Sequence, residues 1–180
     1  ARLSRTKLYL NNPAEYFNML VTEIKAFIKK AERKGLTPLV RLNGTSDIRY
    51  ENIGFVFDGV YFRNIFEYFP DLQFYDYTKI PNRFNSMNGL SDFPKNYDLT
   101  FSYSGADGFQ KYNDRALKAG VRIAAVFDRV ENIPVTFHKR KVVSGDNTDV
   151  RHLDPQNVIV ALYAKGKARK DQSGFVIQGA

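Results

Sequence analysis

An α/β fold built on a mostly parallel sheet is what this sequence predicts, and three observations predict it. Short apolar runs alternate with helical stretches, as parallel strands joined by crossovers require. The runs are continuously apolar rather than alternating, which marks strands buried on both faces. Each run stops in a cluster of small polar or charged residues, where parallel strands hand over to loops that bind ligands. About six strands follow an opening helix. They form either an open sheet or a partial or complete (β/α) barrel of the TIM type, and polar groups at every strand end favour the barrel-like arrangement. No linker, repeat or low-complexity tract interrupts the pattern, so a single α/β domain over residues 1–180 is expected.

The opening helix is set by Asn11-Asn12-Pro13, two capping candidates and a proline near the first helical position, where its missing N–H costs little. Phe17, Leu20, Ile24, Phe27, Ile28 and Ala31 recur at helical spacing, Lys25, Lys29, Lys30 and Arg33 face water, and Gly35 closes a helix over about 13–34. Leu39 to Leu42 is the first strand, ending in "NGTSD". A helical stretch from Arg63 to Phe69 is broken by Pro70-Asp71, and "LQFYDYTK" is the second strand. A polar segment, Asn82 to Lys95, leads to "YDLTFSYSG", and "GFQKYNDRALKAG" is a short helix closed by Gly120. "VRIAAVF" is the most uniformly apolar strand; "RKVVSGDNTD" and "NVIVALYAKG" supply two more.

Hydrophobic residues at 43% and aromatics at 14% fit a folded globular chain. No apolar run reaches the roughly 18 residues that span a bilayer, so no membrane partner is expected. Without cysteine there is no disulfide framework or thiolate metal site, which fits a reducing compartment, the cytoplasm of the host cell. The net charge of +8, from 27 Lys+Arg against 19 Asp+Glu, favours polyanionic partners: nucleic acid, then phosphorylated small molecules. A protein partner and any oligomeric state stay open. No P-loop, G-x-G-x-x-G, H-E-x-x-H or G-x-S-x-G occurs. The two histidines, His138 and His152, lack metal-ligand spacing and read as surface or packing residues.

The strand ends hold the candidate site. Asp47, Asp76, Asp128 and Asp146 are candidate catalytic carboxylates, able to act as bases or to take a divalent metal through hard oxygen ligands. Asn43, Thr45, Thr78, Lys79, Ser102, Ser104, Lys165 and Lys167 are candidates for substrate or phosphate binding. In "AKGKARKDQSG", Lys165, Lys167, Arg169 and Lys170 stand among small residues that let a phosphate chain approach, a candidate nucleic-acid contact or a solvated loop. Asn-Gly and Gly-Asp pairs also form ordinary turns, and the hydroxyls also cap helices. Phe74, Tyr75, Tyr77, Tyr97, Phe101 and Tyr103 stack bases if exposed, but at strand positions aromatics are more often core.

"RLNGTSDI", "FYDYTKIPNR", "NYDLTFSYSG", "VSGDNTDVRHLDP" and "VIVALYAKGKARKDQSGFV" stand in one order, and with them the chain resembles the gene product 88-like family of phage- and prophage-encoded proteins. The resemblance runs from about Arg2 to the end and brings no established activity. It implies a cysteine-rich segment ahead of "ARLSRTK", so this chain is expected to lack an N-terminal segment. Cysteines ahead of strand–helix units look like radical-SAM enzymes, a fold-level analogy in which "NGTSD" faces the nucleotide part of the cofactor. An iron–sulfur cluster is then expected only with that segment, because the residues present have no cysteine to hold one.

Two functions are expected in this order: an enzyme acting on nucleic acid or a nucleotide through the strand-end pocket, and a non-catalytic basic nucleic-acid-binding protein. A truncated radical-SAM-like barrel is a further alternative.

Overall fold

The structure, a computed structural model, describes residues 2–87 and 93–179. In chain order the elements are α1 (Arg2–Asn11), α2 (Pro13–Glu32), β1 (Leu39–Val40), β2 (Phe55–Phe57), β3 (Val60–Phe62), α3 (Ile65–Tyr68), β4 (Gln73–Thr78), α4 (Arg83–Met87), β5 (Tyr97–Ser102), α5 (Gln110–Lys118), β6 (Ile123–Phe127), β7 (Thr136–Phe137), β8 (Arg140–Ser144) and β9 (Ile159–Tyr163). Seven strands form one sheet in the order β1-β4-β5-β6-β9-β8-β7, and β2 and β3 form a separate hairpin. Every described pairing in the large sheet is parallel except β7–β8. The mixed α/β class and the mostly parallel sheet are thus as expected. A closed barrel is not what the sheet shows: its order runs from β1 to β7, and no described pairing joins these two ends. Part of the polar segment expected over 82–95 lies outside the described residues.

The chain divides into two compact units. The first comprises Ala1–Leu42, Ile48–Phe74 and Pro94–Tyr97. Its main helix, α2, starts as expected: the Asn12 side chain accepts a hydrogen bond from Glu15 N at 3.2 Å, with Pro13 in the first turn. Phe17, Leu20, Val21 and Ile24 are buried on one face. Phe17 stacks on Phe55 at 4.8 Å between centroids, and Phe55 stacks on Phe62. The β2–β3 hairpin turns at Asp58 and Gly59, both with positive φ (50° and 79°), the two-residue geometry that matches strand twist. The Asn96 amide is the hub of the following turn, donating to the carbonyls of Phe66, Phe69 and Leu72.

The second unit comprises Asn43–Asp47, Tyr75–Phe93 and Asp98–Ala180. At its centre β6 pairs with β9 over five residues, from Ile123↔Ile159 to Phe127↔Tyr163, and β8 pairs with β9 on the other side. Leu99, Phe101, Ile123, Ala125, Ile159 and Val160 are fully buried, as continuous apolar runs require. Charged side chains are buried in this unit too, Arg122 and Arg151 completely. The Arg122 guanidinium donates to Thr100 Oγ1 (2.9 Å), the Asp154 carbonyl (2.6 Å) and Asp98, stapling the starts of β5 and β6 to the approach to β9. Among the described residues no helix is long and apolar enough to cross a membrane.

Candidate functional site

All the predicted strand-end residues belong to the second unit, and they fall into three groups along the carboxyl edge of the sheet. The first is built on "NGTSD". Asn43 is buried and closes a double hydrogen bond with the buried Asp76 carboxylate: Asn43 N donates to Oδ1 at 2.8 Å and Nδ2 to Oδ2 at 3.2 Å. Ser46 donates to Asn43 Oδ1. Asp47 takes three donors: Thr78 Oγ1 (2.9 Å), Lys79 N (2.8 Å) and the fully buried guanidinium of Arg83 (2.7 Å). Lys79 Nζ donates to the carbonyl and hydroxyl oxygens of Ser102 and lies over the rings of Phe109 and Phe175. Burial pushes the Lys79 ammonium below the ordinary lysine range, and the Asp47 carboxylate pulls it partly back. Ser104 is buried, its carbonyl accepting from Asn113 Nδ2 and its hydroxyl from Ala106 N. Thr45 is exposed.

Chemically this first group is a clamp. Three donors, one of them a buried guanidinium, take up three of the roughly four acceptor positions of the Asp47 carboxylate. Asp47 and Asp76 therefore hold the turn after β1 against the end of β4.

The second group is a cleft of about 430 Å³ between the ends of β6 and β9, lined by Asp128, Arg129, Val130, Glu131, Tyr163, Ala164, Arg169 and Gln178. It lies where the strand order breaks: β4, β5 and β6 run in series on one side, β8 and β9 return from the other. Such a point is where open parallel sheets bind ligands. The side-chain amide of Asn132 donates to both Asp128 oxygens, at 2.7 and 2.9 Å, and Arg129 N donates to Oδ1. These bonds, Asn132 first, hold the Asp128 carboxyl below its ordinary value, so it is an anion at neutral pH. Arg169 is anchored through Nε to the Ala164 carbonyl at 3.4 Å.

The third group closes the end of β8. Asp146 accepts from Tyr163 N through Oδ2 and from Lys165 Nζ through Oδ1 at 2.6 Å, and Lys165 also lies over the Tyr163 ring. The Asp146 carboxylate raises the Lys165 pKa. Lys167, Arg169 and Lys170 sit on a 3₁₀ turn, Gly166–Lys170, with all three exposed to solvent.

Of the four candidate carboxylates only Asp128 lines the cleft, and among the described residues no three His, Cys, Asp or Glu side chains gather as a metal site. Arg169 joins Asp128 there. Arg129, Glu131, Tyr163 and Gln178 are the polar lining residues outside the candidate set, beside Val130 and Ala164. Arg129, Glu131 and Tyr163 follow or end apolar runs and share the strand-end signal. Gln178 carries no signal, because only a return of the chain to β6 brings it in. His138 is exposed and meets the Tyr103 hydroxyl at 3.1 Å. Phe74, Tyr97 and Phe101 are core, while Tyr75, Tyr77 and Tyr103 are half-buried.

A family model described as gene product 88 matches residues 1–179. No curated protein and no solved structure matches the chain.

Proposed function

The chain belongs to the gene product 88 family, and we propose that it is an enzyme acting on a phosphorylated ligand of the nucleotide class, bound in the cleft between the ends of β6 and β9. The observation that carries this reading is the pairing of two arginines, Arg129 and Arg169, in a cleft of about 430 Å³ at the break in strand order. That volume falls within the range of small-molecule and cofactor sites. Guanidinium groups take phosphate oxygens through paired, charge-assisted hydrogen bonds. The Tyr163 ring offers a face for a base, and Gln178 offers both a donor and an acceptor to its edge. Asp128 and Glu131 are the carboxylates that would hold a divalent cation together with the ligand's own phosphates.

Titration with ADP, adenosine, inorganic pyrophosphate and a single-stranded 12-mer at two salt concentrations tests the reading. ADP and pyrophosphate bind, adenosine does not, and Arg129→Ala or Arg169→Ala weakens ADP about tenfold each. Absence of binding by every phosphorylated probe at low salt sinks it.

A second reading, non-catalytic binding of nucleic acid, draws on the exposed cations of Gly166–Lys170. It expects the 12-mer to bind more tightly than ADP, with a salt slope that falls by about 1 for each lysine removed.

A further inference from the structure

We propose that residues Asp171–Gly179 form a strap whose seating builds one wall of the β6/β9 cleft, with Lys79 and Phe175 as positioning residues that keep Gln178 in place. This rests on the ligand reading above and deepens it. Neither Lys79 nor Phe175 lines the cleft.

The strap is held at three places. It begins in a turn organised by Asp171, whose carboxylate accepts from Ser173 Oγ at 2.7 Å and from Val176 N at 3.0 Å. Gly174, with φ of 82°, passes so close to Gly105 that a Cβ on Gly105 would stand 2.7 Å from the Gly174 carbonyl oxygen. Phe175 places its ring 4.7 Å from Lys79 Nζ, and the same ammonium is tied to Ser102. Val176 is buried.

Only then does the segment reach the sheet. Ile177 N donates to the Val126 carbonyl at 2.8 Å and the Ile177 carbonyl accepts from Asp128 N at 2.9 Å, a single parallel bridge beside Phe127. Gln178, the next residue, lines the cleft. The strap therefore supplies Gln178 to the site and holds Asp128, its main chain through Ile177 and its carboxylate through the Gly179 N–H.

One bridge and one buried valine make a seating that opens locally without unfolding the sheet. A ligand that contacts Gln178 binds only the seated form, so affinity scales with the seated fraction.

Hydrogen exchange on the full chain, read by mass spectrometry, is paired with ADP titration of the same proteins. Lys79→Met and Phe175→Ala raise exchange over 172–179 at least tenfold, leave 159–163 protected, and weaken ADP tenfold or more. Gly105→Ala, which crowds Gly174 from the other side, reproduces both effects. Unchanged exchange in all three variants overturns the proposal. Faster exchange with wild-type ADP affinity overturns it too, because the strap would then be no wall of the site. Failure of the ligand reading looks different: wild type and variants alike bind no ADP, whatever the exchange shows, and the wall falls with it.

Discussion

The Asp47 carboxylate lies 2.7 Å from the Arg83 guanidinium, joining the turn after β1 to the helix that follows β4. The arginine side chain is fully buried, whereas the aspartate keeps 27% of its side-chain surface. A buried guanidinium that loses its carboxylate keeps the cost of leaving water and loses the attraction that offset it. Asp47→Ala is therefore expected to destabilise the fold by about 3 kcal/mol, the lower end for breaking a buried pair. Urea denaturation measures this, and a loss below about 0.5 kcal/mol, typical of surface sites, would show that the clamp carries no stability.

The two hairpin turns make a matched prediction. Asp58-Gly59 and His138-Lys139 all have positive φ, yet only one of the four is glycine. A side chain in the left-handed region costs roughly 1 kcal/mol. Gly59→Ala should lower stability by about that amount, and Lys139→Gly should leave it unchanged or raise it. Thermal melts of the two variants should move apart, and a drop in both would refute the turn assignment at β7–β8.

Gly145 marks a different need for glycine. A Cβ there would stand 2.5 Å from Val160 Cγ1 and 2.7 Å from Arg151 Nη1, so β8 could not end so close to β9. Gly145→Ala is expected to cost about 1–3 kcal/mol by overpacking. A melting temperature equal to that of the parent would show that this corner has room to give.

Acid should loosen the Asp171 turn before the sheet. Hydrogen bonds, that from Val176 N first and then that from the Ser173 hydroxyl, hold the Asp171 carboxyl below its ordinary value of 3.8. For an acid so lowered, the stabilisation is fully present above pH 3.8 and is lost as pH falls through the lower folded value. Exchange over 172–176 should rise in that window in the parent chain and be already raised at neutral pH in Asp171→Asn. A flat acid profile would contradict this.

Legibility followed burial. β6 and β9 read clearly because Ile123–Phe127 and Ile159–Tyr163 are apolar on both faces. The Asp58-Gly59 pair between FVF and VYF carries a hairpin signal that strand–helix alternation passes over. The β7–β8 hairpin has no such signal, since His138 and Lys139 are poor turn residues and β7 is only two residues long. α1 is mostly polar, so no apolar stripe announces it. At the site, residue type located the edge but not its division of labour: an aspartate reads the same whether it faces a cleft, as Asp128 does, or is spent on Asn43, as Asp76 is.

The strand order also sets a timetable. β9, the last described strand in the chain, fills the slot between β6 and β8. A ribosome delivering this chain in order releases β6 and β8 before the strand that separates them exists. Until residues 159–163 emerge, two strand edges with unpaired main-chain groups face an empty lane, open to another strand or to a chaperone. Sheet closure and the appearance of the cleft thus both await residues 159–163: a nascent chain halted before Ile159 carries Asp128, Arg129, Val130 and Glu131 but none of the lining that Tyr163, Ala164, Arg169 and Gln178 supply.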